Sequence, residues 1–330
     1  MRLLILGGTG FLGRELVACA LEEGHEVTCL ARGTQGPPDS AAAFVQADRT
    51  RAGAYDEVAT RPWDCVIDLT WDPGCAEGAL TALAPRARHW IFVSTVSVYA
   101  RHDHAGADET AEILAPDFAR GPGIERYGEA KAACEELCRR HLGDRLLIAR
   151  AGLIGGPGDG SGRSGYWVAR CARNPLSPLL VPDTPEASTQ VVDVRDLAQW
   201  LIACAETRVT GTFDAVGPPV PFAEWVDLCR HVGGHTGEVR AADVDWLLAH
   251  DVAIFMGPRS MAMWVDERGD YRGWSRRSGT RAESAGLAHR PREAVVTDLL
   301  AWETAEGLDR PRGAGLTAEE EAELLGLLRS

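Results

Sequence analysis

The chain opens on Leu3-Leu4-Ile5-Leu6, a short run without a polar position, of the kind a strand shows when both its faces are covered in a parallel sheet. It leads into Gly7-Gly8-Thr9-Gly10-Phe11-Leu12-Gly13, and then into Arg14 to Leu21, where the apolar positions fall at helical spacing. The same alternation repeats. His25 to Leu30, after a helix stop at Gly24, predicts a second strand, Phe44 to Asp48 a third and Cys65 to Thr70 a fourth. Trp90 to Ser94 predicts a fifth, continuing into Thr95-Val96-Ser97-Val98-Tyr99. Gly121-Pro122-Gly123 breaks the chain before a helix that starts near Tyr127, and Arg145 to Arg150 predicts a sixth strand. Buried strands alternating with helices imply βαβ units, hence an α/β fold with a doubly wound parallel sheet.

Residues 155 to 188, rich in Gly, Pro and Ser, read as a long excursion from that sheet, the type of loop that usually carries function. Gln190 to Ala198 brings the chain back, a helix follows through Cys204, and Gly211 to Gly217 predicts the last strand. Beyond Pro218 the pattern turns helical and aromatic, with Trp225, Trp246, Phe255, Trp264, Trp274 and Trp302. This divides the chain into a sheet domain at 1–217 and a smaller, mostly helical C-terminal part at 218–330. Thr317-Ala-Glu-Glu320 has the pattern of a capping box opening a final helix.

Composition narrows the function classes. Hydrophobic content of 45% and charged content of 25% over 330 residues are those of a globular protein with a large core. The net charge of −14 argues against a nucleic-acid surface, which needs a basic face. Nine cysteines, an odd number scattered through apolar runs, read as reduced thiols in a cytoplasmic protein. Only four apolar residues follow Met1-Arg2 before glycine, so no signal peptide is expected, and no apolar run approaches the ~18 residues of a membrane span. His102 and His104 stand in a polar loop without a further ligand type nearby, and no metal site is expected.

Candidate chemistry lies in two places. A glycine string placed between a buried strand and a helix is a nucleotide-binding context: Gly7 permits the tight turn, Gly10 lets backbone approach a pyrophosphate, and Gly13 allows close packing of helix on strand. At the end of the second strand, where an acidic residue would grip the ribose 2′-hydroxyl of NAD, stands Ala31-Arg32-Gly33. Arg32 suits a 2′-phosphate, so NADP(H) is expected in preference to NAD(H), with Asp48 near the adenine edge. The second place is Tyr127-Gly-Glu-Ala-Lys131. Of the 34 basic residues 33 are arginine, and Lys131 is the only lysine. Arginine is a planar, permanently charged fork, whereas lysine is a compact point charge on a flexible stem. On a helix, residues four apart share a face, so the ammonium sits beside a phenol. A cation there favours phenolate, which makes the pair a candidate general acid/base.

With Gly7 to Gly13 first, hydroxyls after the fifth strand next and YxxxK about 30 residues later, the chain resembles the short-chain dehydrogenase/reductase superfamily, in the extended or atypical branch that includes the NAD-dependent epimerase/dehydratase family. The resemblance covers roughly residues 1–217 and implies a Rossmann domain followed by a substrate-binding part. It puts the catalytic hydroxyl four residues before Tyr99, on Thr95, with Ser94 and Ser97 as alternatives in a one-residue register. It implies Thr95, Tyr127 and Lys131 as catalytic residues. Cofactor contacts are expected at Gly7, Thr9, Gly10, Phe11, Leu12, Gly13, Arg32, Asp48, Thr70, Lys131 and Leu153. Substrate contacts are expected at Trp71, Ser97, Tyr166 and Trp167. The function expected is an NADP(H)-dependent ketoreductase acting on a small-molecule carbonyl. The alternatives are a nucleotide-sugar epimerase or dehydratase, with the arginine-rich segment from Arg259 to Arg292 holding a diphosphate, and a nonenzymatic cofactor sensor or RNA-binding relative. The partner expected is a small-molecule substrate, with a homodimer left open and neither nucleic acid nor membrane.

Overall fold

The computed structural model describes residues 1–119 and 124–328; the expected break at Gly121-Pro122-Gly123 lies outside them. Seven strands form one parallel sheet: β1 (Arg2–Leu6), β2 (Glu26–Ala31), β3 (Ala43–Gln46), β4 (Trp63–Asp68), β5 (Ala87–Thr95), β6 (Leu146–Ala151) and, later in the chain, β10 (Gly211–Ala215). Their spatial order is β10-β6-β5-β4-β1-β2-β3. In the centre Ile5 is paired with Cys29 on one side and Ile67 on the other. The chain winds outward from β1 through β2 and β3, then crosses back to β4 and winds the other way. The carboxyl ends of β1 and β4 therefore part at a topological switch point, where such sheets bind ligands.

Helices cover both faces, which is why the strands carry apolar residues on both sides. On one face α1 (Phe11–Glu22) and α5 (Val194–Thr207) pack Leu16, Val17, Trp200 and Leu201 against Leu3, Ile5 and Ile67. On the other, α2 (Pro73–Leu83) and α3 (Tyr127–Leu142) pack Leu80, Leu83, Cys134 and Leu137 against Leu4, Val66 and Phe92. Eight of the nine cysteines are buried and all are free thiols.

The excursion after β6 contains β7 (Leu153–Gly155), α4 (Tyr166–Arg173), β8 (Leu179–Pro182) and β9 (Ser188–Asp193). It joins the C-terminal part in a separate core, where Tyr166, Trp167 and Leu179 pack with Trp225, Leu247, Trp264, Val296 and Leu324. That part is built on α6 (Phe222–Val232), α7 (Val244–Ala249), α8 (Thr280–Ser284), α9 (Arg292–Glu306) and α10 (Ala318–Leu327), the last opened by the expected Thr317–Glu320 capping box. Short strands stitch the layers: β9 pairs in parallel with β7 and antiparallel with Pro219–Pro221, and β8 pairs with Val239–Ala242.

A buried chain of charges links the two cores. Arg150 on β6 grips Glu135 of α3 through Nε and Nη2 at 3.0 and 2.8 Å and donates to the Tyr99 hydroxyl at 2.9 Å. Tyr99 donates to Asp214 on β10 at 2.5 Å, and Arg277 donates to the same carboxylate at 2.8 Å. Among the described residues no helix is long and apolar enough to cross a membrane.

Candidate active site

A cleft of about 670 Å³ runs across the carboxyl ends of β1, β2, β4 and β5. Its floor at one end is the glycine turn. Gly7 has φ +108°, a region that L side chains rarely adopt, and its carbonyl faces Gly13 so closely that a Cβ there would overlap it and stand 2.8 Å from Gly8 Cα. Gly10 differs: a Cβ would meet nothing nearer than the Gly7 carbonyl oxygen at 3.8 Å and Gln35 Oε1 at 4.0 Å. The fold itself does not demand glycine at that point; the space in front of it does. Gly10 is also the N-cap of α1, with no side-chain cap and no acidic residue in the first turn. The first N–H groups of the helix are thus left for an anion, and the positive end of its dipole points at it. This floor fits the pyrophosphate of a dinucleotide. Thr9, Phe11 and Leu12 line the same end.

At the mouth of β2, Arg32 lines the cleft and is exposed, and no carboxylate pairs with its guanidinium among the described residues. Asp48 sits opposite, just past β3. Its Oδ1 accepts the Thr50 N–H at 3.0 Å and hydroxyl at 2.7 Å, bonds that hold it below the usual carboxylate range. The next residue, Arg49, forms a bidentate pair with buried Asp68 at 2.7 Å on both arms. Asp68 in turn accepts the Thr70 N–H at 3.0 Å, fixing the turn after β4 that presents Thr70 and Trp71 to the cleft.

The other end holds the residues that the sequence marks as acid/base candidates. Lys131 is 3% exposed, and its Nζ donates to the Val93 carbonyl at 2.6 Å and the Thr70 carbonyl at 2.8 Å, while lying 4.9 Å from the centre of the Phe92 ring. An ammonium has three protons. Two are spent on the carboxyl ends of β4 and β5, and Lys131 also lines the cleft, so the third is available to a ligand. Tyr127 begins α3 one turn earlier and lies across the cleft from Trp71, ring centres 6.2 Å apart. Gly128 lets this turn seat deeply: a Cβ there would come within 2.7 Å of Leu114 and closer still to the Ser97 carbonyl.

Thr95 ends β5 and faces the cleft with its hydroxyl oxygen accepting the Ser97 N–H at 3.1 Å and donating to Ser97 Oγ at 3.2 Å. Ser94 also lines the cleft. Ser97 does not; it stands behind Thr95 as that bonding partner. Leu153 is buried and lines a small adjoining recess with Val96, Phe255 and Trp274, and Gly152 faces both recess and cleft. Tyr166 and Trp167, expected at the substrate, lie elsewhere. They are 4% and 0% exposed in the second core, and the Trp167 indole N–H donates to the Ala262 carbonyl at 2.8 Å. Helix α4 turns its aromatic residues toward the C-terminal part because that part supplies the apolar partners. The arginine-rich segment is likewise occupied with structure. Arg259, Arg268, Arg276, Arg277, Arg290 and Arg292 each pair with a carboxylate, leaving little to hold a diphosphate.

One site feature escapes the sequence pattern: Gln35, which lines the cleft at the glycine turn. It belongs to no spaced motif and is identified only by its place.

The chain is similar over most of its length to a 3-diazoavenalumate denitrifying reductase of a Streptomyces species, at 29% identity over 288 residues, 78% of this chain and 91% of that one. It is 27% identical over 250 residues to the ceramide reductase of Caulobacter vibrioides, 70% of each chain. Its fold matches UDP-glucuronic acid 4-epimerase from Bacillus cereus, solved with NAD, with a TM-score of 0.65 at 14% identity, covering 93% of this chain and 99% of that one. The profile of the NAD dependent epimerase/dehydratase family matches residues 3–82 and 76–214, the span that contains the glycine turn, Thr95, Tyr127 and Lys131. Sheet, cleft and sequence agree that the chain belongs to this family, in the extended branch of the short-chain dehydrogenases/reductases.

Proposed function

We propose that the chain is an NADP(H)-dependent reductase of a small-molecule carbonyl, with Tyr127 as the proton donor. The observation that carries this reading is the only lysine of the chain, buried in the cleft wall one helical turn from Tyr127, with one ammonium proton uncommitted among the described residues. A family member without acid/base chemistry has no need to keep that cation as lysine when every other one is arginine. The names of the two relatives, both reductases, support net reduction over an internal hydride cycle. Arg32, which lines the cleft and has no carboxylate partner among the described residues, supports NADP(H) over NAD(H).

The bound dinucleotide would supply hydride to the carbonyl carbon. The carbonyl oxygen, gaining the electron pair of the broken π bond, takes the proton of the Tyr127 hydroxyl, and water returns a proton to the phenolate. Thr95 turns its hydroxyl from Ser97 to that oxygen and orients it. Lys131 would offer its third proton to the cofactor and place positive charge beside the phenolate. Trp71 closes the opposite wall.

NADPH consumption with a panel of ketones and aldehydes tests the reading. Tyr127→Phe should lose turnover by about 10²-fold or more, the scale of a general acid, while NADPH binding followed by fluorescence stays within twofold. A Phe variant with full turnover would refute Tyr127 as the proton donor.

A further inference from the structure

Lys131 owes its place to two carbonyls, and the two are held by different means. Val93 lies inside β5 and is paired with Ala149 of β6, so the sheet fixes its carbonyl. Thr70 stands two residues past the end of β4 and belongs to no strand. The Leu69 N–H still bonds the Leu6 carbonyl of β1 at 3.2 Å, and there the sheet contact ends. The Thr70 N–H donates instead to Asp68 Oδ1 at 3.0 Å, so a side chain sets the turn whose carbonyl receives the ammonium at 2.8 Å.

The chain makes the same turn with exposed aspartates at Asp39, Asp108 and Asp243, so the turn alone does not require a buried charge. Asp68 is 1% exposed, and a buried carboxylate is tolerated only when a cation offsets its desolvation. Arg49 does this with both arms at 2.7 Å. Arg49 reaches in from the loop after β3 and is itself anchored near the start of α2. Its Nε donates to the Tyr55 hydroxyl at 2.9 Å and its Nη2 to the Cys75 carbonyl at 3.1 Å, which also accepts the Tyr55 hydroxyl at 2.8 Å. The result is an unbroken run of bonds from Arg49 through Asp68 and Thr70 to Lys131. Arg49, Thr70 and Lys131 line the cleft, and Asp68 stands behind them.

We propose that Asp68, with Arg49 as its counter-ion, is a positioning residue that sets the Lys131 ammonium through the Thr70 carbonyl. Without that carbonyl the ammonium keeps only Val93, and a single bond on a flexible stem does not fix where its third proton points. The consequence for turnover rests on the reading of Tyr127 as the proton donor; the placement of Lys131 does not.

The single lysine makes the test direct. An amine-selective acetylating reagent has only Lys131 and the N-terminal amine to modify in the full-length protein, and peptide mass spectrometry reads the two separately. Two double variants remove both buried charges together, so that no lone ion is left in the interior. Asp68→Asn with Arg49→Gln keeps a side-chain oxygen for the Thr70 N–H, and Asp68→Leu with Arg49→Gln does not. Lys131 should acetylate about tenfold or more faster in the Leu double than in wild type, the scale of one hydrogen bond to a charged group, and within about threefold of wild type in the Asn double. In carbonyl reduction with NADPH the Leu double should fall about tenfold below the Asn double in kcat, with KM for the carbonyl within about twofold. Equal acetylation rates in the two doubles would overturn the proposal, as would a Leu double as slow as wild type. Either double failing to fold in melting curves would assign the pair to the fold rather than to Lys131 and overturn it equally. The two arms separate the two readings. A wild type that reduces no carbonyl with NADPH sinks the reductase reading and leaves the acetylation result standing, whereas equal acetylation with an active wild type sinks only the positioning role.

Discussion

Gly10 and Gly13 look equivalent in sequence and carry opposite predictions. At Gly13 an alanine Cβ would overlap the Gly7 carbonyl oxygen and stand 2.8 Å from Gly8 Cα and 2.9 Å from Gly8 C. All three neighbours are backbone, so the turn must move rather than a side chain. Overpacking of this kind costs about 1–3 kcal/mol, offset by up to ~1 kcal/mol from the better helix propensity of alanine. Gly13→Ala should therefore lower the melting temperature of the cofactor-free protein by a few degrees, at roughly 2–4 °C per kcal/mol or slightly less in a chain this long. At Gly10 the backbone has φ −82° and ψ 179°, extended geometry open to any residue, and the added methyl enters empty space. Gly10→Ala should melt within about 1 kcal/mol of wild type, the limit set by replacing an N-cap glycine with alanine. Its effect should appear on the ligand, because the methyl occupies the approach of the pyrophosphate to the α1 N-terminus. A loss of about 10–100-fold in NADPH affinity, or about 1.4–2.8 kcal/mol, is expected. The assay is NADPH fluorescence titration paired with melting curves taken with and without NADPH. A Gly10→Ala protein of unchanged stability and unchanged NADPH affinity would refute the placement of a pyrophosphate at this turn.

Three further outcomes follow from the site and its surroundings. Arg32→Ala should raise the dissociation constant for NADPH by about tenfold and that for NADH by less than twofold, since a charged hydrogen bond contributes about 1.5–3 kcal/mol; equal effects on both in the same titration would remove the basis for preferring NADP(H). Lys131→Arg should cut kcat/KM nearly as much as Lys131→Met, by about 10²–10³-fold, because a fork cannot bond Thr70 and Val93 and still offer one proton to a ribose; a fully active Arg variant would make the lone lysine accidental. Glu267, buried beside Arg276, has its pKa pushed up to about 7 by desolvation. The folded state then binds this proton more tightly than the unfolded chain, so wild type should lose stability relative to Glu267→Gln as the pH rises from about 4.5 through about 7, and parallel melting curves for the two proteins across that range would contradict it.

The parts of the site that were legible in the sequence are those whose chemistry fixes a residue type at a fixed spacing. Glycine at positions 7, 10 and 13 is dictated by a turn, a ligand approach and a helix contact that follow one another along the chain. Tyr127 and Lys131 are one helical turn apart and had only to be recognised as unusual. Thr95 required knowing that β5 ends there, and the bond to Ser97 explains why both hydroxyls stood in the motif. Tyr166 and Trp167 show the limit of this reasoning. An aromatic pair in a glycine-rich segment does not reveal which layer it will face, and the deciding partners, Phe222 at 5.5 Å from Trp167 and the Ala262 carbonyl, come from the far end of the chain. The arginine-rich segment fails to announce its role for the same reason, since Asp196, Asp214 and Glu323 reach it only through the fold.

The buried charge chain ties the two separately packed cores together beside the cleft. Glu135 lies one turn beyond Lys131 on α3, is 0% exposed, and is ionised below its usual range because Arg150 offsets the cost of burying it. Arg150 and Tyr99 relay that contact to Asp214, and Arg277 closes it from the C-terminal part, lying over the Tyr99 ring. The two carboxylates face the buried guanidiniums of Arg150 and Arg277, the half-exposed Arg139 adds a third contact to Glu135 at 2.9 Å, and every member has partners, the condition under which buried ions are tolerated. Arg277 also exchanges two backbone hydrogen bonds with the side chain of Gln190 on β9. Three residues before it in the chain, Trp274 walls the recess beside the cleft. The helix that carries Tyr127 and the segment that walls the recess are thus joined to the same group of charges. Apolar packing would hold the two cores together as firmly, but it would tolerate sliding. Directional bonds at 2.5–3.0 Å between Glu135, Arg150, Tyr99, Asp214 and Arg277 hold α3 to the segment that carries Trp274, and the proposed proton transfer from Tyr127 would depend on such fixed placement.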